Sequence, residues 1–180
     1  MPLAEALYYH LSQGSETDLP VVLLHGAGEM HLLWPPEIRR IAGCRVFALD
    51  LPGHGKSNQI GGLQSVAAYA QSVQTWLEAV GLYRAVIVGH AMGGAIAMQM
   101  AVQSPKQVLG LGLISTGPRL PVPPDLFVAS ANPTTFYKAM EIMASLSFGH
   151  CSKQSSNSVE LTIKSAISFN LSRSCMLGGF

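Results

Sequence analysis

The chain has 180 residues, a formal net charge of +1, and 12% charged against 48% hydrophobic side chains. That length fits one domain at most, with enough apolar surface for a sizeable core. The near-neutral balance gives no charged surface for nucleic acid or an anionic membrane.

The opening MPLAEALYYH has neither the basic start nor the long apolar run of a secretory leader, so a soluble cytoplasmic protein is expected. Residues 21–26, VVLLHG, form a short apolar run closed by glycine, and 45–50, RVFALD, form another. Val66, Tyr69, Val73, Trp76, Leu77 and Val80 recur at helical spacing, and Gly81 ends that run. Two more strand-like runs are AVIVG at 85–89 and VLGLGLI at 108–114. Between them a helix is predicted from Gly94 to Gln103, stopped before Pro105. Short β-branched runs without internal charge are what strands covered on both faces look like. Alternation with helices predicts an α/β fold: a mostly parallel sheet with right-handed crossovers. The most apolar stretch, 85–101, is broken by His90, Gly93, Gly94 and Gln99, so it reads as strand plus helix rather than a membrane span.

After Gly117 the pattern changes. PRLPVPPD at 118–125 is too rich in proline for a regular element. Asn132-Pro133 reads as an N-cap followed by proline in the first helical turn, with Phe136, Met140 and Met143 on one stripe of the helix. Val159, Ile163, Ile167 and Leu171 make a second stripe, and the serine-rich piece 145–158 a loop. Residues 1–117 are therefore expected to form the core and 118–180 a helical addition to it.

The pentapeptide Gly89-His90-Ala91-Met92-Gly93 lies where a strand turns sharply into a helix. Such a turn holds its central residue in a strained conformation, and the positions two either side must be small. In G-x-S-x-G proteins the central hydroxyl is presented above the sheet, and the next backbone N–H points into an anion-stabilising hole. Here the central residue is Ala91, which has no nucleophilic atom, and the donor would be Met92 N–H. A second donor, Ala27 N–H, is expected from the loop His25-Gly26-Ala27-Gly28, with Gly26, Gly28 and His90 bordering the ligand.

Three stretches in this order, VVLLHGAG, ALDLPGHGKS and VIVGHAMGGAIA, followed by a proline-rich exit, resemble the α/β-hydrolase fold family in its small esterase and lactonase-like form. The resemblance covers residues 21–117, and more loosely the segment after it, which would be a lid. It implies a serine nucleophile, then an acid, then a histidine, acting on a small apolar ester or lactone without a cofactor. The chain departs from that pattern in three ways. Ala91 stands at the nucleophile position. The two later strands that carry the acid and the histidine are not visible, so the chain reads as C-terminally truncated. Glu29-Met30 replaces a glycine-rich continuation of the loop, and the Glu29 carboxylate is expected to point to solvent.

Other polar residues read as structural. His90 is expected to be a buried histidine bonded to backbone, His25 an orienting residue for nearby backbone, His54 a turn residue, and Asp50 a cap for backbone N–H groups. Asp125 lacks a strand end to hold it as a triad acid. His150 and Cys151 are adjacent, which does not make a dyad. Cys44, Cys151 and Cys175 form no CxxC pair and are expected to be reduced thiols. No metal-ligand spacing appears, and LPGHGKS lacks the spacing of a phosphate loop. Three readings follow: a serine hydrolase as the family activity with this chain inactive, a pseudo-hydrolase that binds an apolar small molecule, or a truncated remnant. Oligomeric state is not legible.

Overall fold

A computed structural model describes residues 3–4, 7–12, 14–119, 124–131, 134–135, 138–139 and 142. Six strands form one sheet: β1 (Leu3–Ala4), β2 (Leu7–Leu11), β3 (Leu19–Leu24), β4 (Cys44–Leu49), β5 (Ala85–His90) and β6 (Val108–Ile114). Their order across the sheet is β1-β2-β4-β3-β5-β6. β4, β3, β5 and β6 run parallel, and β2 joins β4 antiparallel, pairing Tyr9 with Leu49.

All four strands expected from the sequence are present. β1 and β2 were not expected. LYYHL is short and carries a histidine, and it becomes a strand because β4 offers it an open edge.

Alternation along each strand divides the core in two. Val22, Leu24, Phe47, Leu49 and Ile87 face α2 (Val66–Ala79) and α3 (Met92–Gln103), which contribute Tyr69, Val73, Trp76, Leu77, Ile96 and Met100. Val21, Leu23, Val46 and Ala48 face the other way and pack with Trp34 and, from α1 (Pro36–Arg39), Ile38. Unbroken apolar strands thus serve two layers at once. The Ser65 hydroxyl accepts from Ala68 N–H and caps α2.

Several boundaries moved: β3 begins two residues earlier and ends before His25, and β4 is shifted by one. α3 starts at Met92, not Gly94, because the turn leads directly into helical backbone. The proline-rich stretch was expected to be irregular throughout, but α4 (Pro124–Ala131) begins inside it. Proline lacks only an N–H that a first helical turn does not use, so Pro124 starts the helix rather than blocking it. Lys138, Ala139 and Ile142 are helical, but Thr134 and Thr135 form a turn where the helix was expected to have begun; Asn132, Pro133, Phe136, Met140 and Met143 lie outside the described residues. The stripe from Val159 to Leu171, the loop 145–158, His150, Cys151 and Cys175 lie outside the described residues. Among the described residues no helix is long and apolar enough to cross a membrane.

Candidate active site

The connection leaving β3 runs to α1 on one face of the sheet, whereas β5 leads into α3 on the other. Neighbouring strands whose connections depart to opposite faces open a crevice at their carboxyl ends, the usual ligand position in open α/β sheets. The loop 25–28 and the turn 89–93 stand at those two carboxyl ends.

Ala91 has φ 47° and ψ −112°, a left-handed conformation that an alanine adopts only under constraint. Its N–H donates to Ile114 O at 3.0 Å and its carbonyl accepts from the Thr116 hydroxyl at 2.8 Å. β6 and the residues after it therefore hold the turn. A Cβ at Gly89 would collide with Gly93 and Gly94 backbone, and one at Gly93 with the Leu24 and His25 carbonyls. These approaches explain why positions 89 and 93 carry no side chain. Met92 is the first residue of α3, so its N–H is among those without a partner inside the helix.

On the opposite side of the crevice, Gly26, Ala27 and Gly28 follow β3 in a tight loop closed by Glu29 N–H to Gly26 O at 3.3 Å, with Gly28 at φ 74°. His25 is fully buried. Its Nε2 accepts from Leu51 N–H at 3.0 Å, so Nδ1 carries the proton and donates to Gly26 O at 2.7 Å. Burial lowers its pKa against the pull of Asp50 and the Gly26 carbonyl, which keeps the ring neutral. His25 orients backbone, as expected. His54 is buried too; burial, then the neighbouring His25, push it down to about 4, and Nδ1 bonds Pro52 O at 2.9 Å. The two rings lie 5.1 Å apart.

Asp50 caps backbone as expected: it accepts from His31 N–H at 2.7 Å and Lys56 N–H at 2.9 Å, and also from His31 Nδ1. Burial opposes its ionisation, but the His31 hydrogen bond and charge prevail and its pKa is lowered. Asp125 is exposed in the first turn of α4.

Two expectations fail together. Glu29 does not point to solvent: it is 5% exposed, and Oε2 accepts from Gly26 N–H at 2.7 Å and from His90 Nδ1 at 3.1 Å. His90 therefore bonds a carboxylate rather than backbone. The general tendency of carboxylates to stay solvated gives way here because the loop supplies a backbone donor and the turn supplies an imidazole N–H. Burial favours the neutral acid, yet the hydrogen bond and charge of His90 lower the Glu29 pKa, and Glu29 raises that of His90. Sequence offered one hint, the departure from glycine at position 29, but not its partner. Among the described residues no group of three or more His, Cys, Asp or Glu is placed to hold a metal ion.

The sequence profile of the alpha/beta hydrolase fold matches residues 20–150. A 2-hydroxy-6-oxononadienedioate/2-hydroxy-6-oxononatrienedioate hydrolase of a Pseudomonas species is 35% identical over 113 residues, which is 60% of this chain and 40% of that enzyme. Est816, described as an N-acyl homoserine lactone degrading enzyme, superposes with a TM-score of 0.71 at 24% identity, over 92% of this chain and 66% of the other. A carboxylesterase of the thaumarchaeon Nitrososphaera gives the same TM-score and identity, over 93% and 66%. The chain thus spans less than two thirds of the length of each of these three. With the sheet order, the turn at Ala91 and a profile match over most of its length, the chain belongs to the α/β-hydrolase fold family.

Proposed function

We propose that the crevice between β3 and β5 is the acyl-binding half of a hydrolase site for a small apolar ester or lactone, and that in this chain it binds without hydrolysing. One observation carries the reading: Ala91 keeps the strained conformation of a presented nucleophile, with both backbone groups tied down, yet has no atom to attack with. In this reading the N–H groups of Ala27 and Met92 polarise the ligand carbonyl, Gly26, Gly28 and His90 border it, and residues 118–180 act as a lid over a core of 1–117. A serine at position 91 would attack the carbonyl, and the two N–H groups would hold the oxyanion. The lactone- and ester-cleaving proteins of the same fold support the substrate class, and the 35% identical relative supports hydrolysis more broadly. Without the hydroxyl, binding by the hole remains and covalent catalysis does not.

The test is a titration of the isotope-labelled chain with a neutral short-chain aryl ester and a γ-lactone. The amide signals of Ala27 and Met92 should shift saturably, while ester turnover stays at the buffer rate. Absence of saturable shifts at those two amides overturns the site. Turnover by the unaltered chain overturns the non-hydrolysing assignment.

A further inference from the structure

The two donors of the hole assigned above belong to different loops, and the backbone does little to fix one against the other. The β3–β5 ladder ends at the pairing of Leu24 with Gly89, before either donor is reached. Beyond that point Ala91 bonds toward β6, through Ile114 and Thr116, and His25 bonds toward the end of β4, through Leu51. Each loop is thus anchored away from the other, and Gly93 meets the Leu24 and His25 carbonyls by contact alone.

Glu29 spans the gap. Its Oε2 takes the N–H of Gly26, next to Ala27 in sequence, and Nδ1 of His90, two residues before Met92. The carboxyl group also lies flat against Gly26, where a Cβ would come within 3.0 Å of Cδ and Oε2. We propose that Glu29 is a positioning residue that clamps the β3 loop to the turn after β5 and so sets the separation of the Ala27 and Met92 donors. The inference rests on the reading of those N–H groups as an anion hole.

A bare carboxylate beside such a hole would oppose charge developing on the ligand. The hydrogen bond from His90 Nδ1 offsets it, and Glu29 in turn favours the protonated His90 ring, so the clamp is both geometric and electrostatic. Other ionisable groups around it are His25 on the same loop, Asp50 with its partner His31 at the end of β4, and His54 and Lys56 in the turn that follows. His25 and His54 are held neutral by burial, and the Asp50 charge is met by His31 and two backbone N–H groups. His90 is thus the ionisable group bonded to Glu29.

The test uses the 180-residue chain with Glu29→Gln and Glu29→Ala, and needs no turnover. In the unaltered chain His90 should titrate above its ordinary value of 6.5. In both variants its midpoint should fall toward that value. In Glu29→Ala, exchange of the Gly26 amide should speed up about tenfold or more, as expected for loss of a charge-assisted bond, with Val22 and Leu24 unchanged. Glu29→Gln keeps an acceptor oxygen and the shape, and should restore most of the Gly26 protection. Millisecond exchange broadening should appear at Ala27 and Met92 together in Glu29→Ala and be absent in the unaltered chain. An unchanged His90 midpoint in Glu29→Gln, or sharp Ala27 and Met92 signals in Glu29→Ala, overturns the proposal; a space-filling role alone would give the first result. Failure of the ester titration with these results intact removes the ligand reading and leaves the clamp. The reverse removes the clamp only.

Discussion

Ala91 carries the sharpest consequence for single residues. A non-glycine residue in this region of backbone space costs about 1–3 kcal/mol. Glycine adopts it freely, but gives back roughly 0.4–1 kcal/mol through a more flexible unfolded chain. Ala91→Gly should therefore stabilise the fold by about 1 kcal/mol, seen as a higher denaturation midpoint with unchanged slope. A lower midpoint would mean that surrounding bonds, not strain, define the turn. The position was legible in the sequence because glycines at 89 and 93 have a steric reason that leaves a written trace. The Glu29–His90 bond was not, since it joins residues 61 apart and neither side chain alone predicts where the other lies. Solvation tendency pointed the wrong way, and only the fold brings the donor, the imidazole and the carboxylate together.

Strands and helices follow the same division. β3, β4 and β5 were legible because each must be apolar on both faces, and that leaves runs no helix period explains; β6 was legible because it carries an equally apolar run, although much of that run is exposed. β2 was hidden because an outer antiparallel strand takes its identity from the edge it joins. β6 is the last strand of the described sheet, and Leu109, Leu111, Leu113 and Ile114 are each more than 40% exposed along it. Leu111 and Leu113 share a face with Ile87 and Gly89, their partners on β5. An apolar edge strand of seven residues is a template for pairing with another chain. Leu111→Lys should reduce self-association of the 180-residue chain, measured by light scattering against concentration, with little change in the unfolding midpoint. Unchanged scattering would show that this edge is not the surface through which copies meet.

For the molecule as a whole, the buried histidines decide how stability depends on pH. His54 has a folded pKa of about 4 against 6.5 when free, and His25 is displaced in the same direction. Between those values the unfolded chain binds protons that the native one refuses, so stability falls as pH drops below 6.5. His54 alone removes up to about 3 kcal/mol by pH 4, a large share of a typical domain's 5–15 kcal/mol. The carboxylates act later. The folded pKa values of Asp50 and Glu29 lie below their free values of 3.8 and 4.5, so their contribution is present above those values and is lost as pH falls through the lowered ones. His90 works on the other side: its contribution is full below 6.5 and is lost as pH rises through its raised folded value. The profile should be lopsided, with an acid limb that starts near neutrality and a shallower alkaline decline. Denaturant midpoints across the range test this, with His54→Asn as the comparison. That variant removes one of the proton-refusing rings, so its acid limb should still begin near 6.5, where unfolded His25 takes up its proton, but be less steep. An acid limb that begins only below about pH 4.5 in the unaltered chain would assign acid unfolding to the carboxylates instead. His25 would then have to be protonated in the native state, which the bond from Leu51 N–H to its Nε2 does not permit.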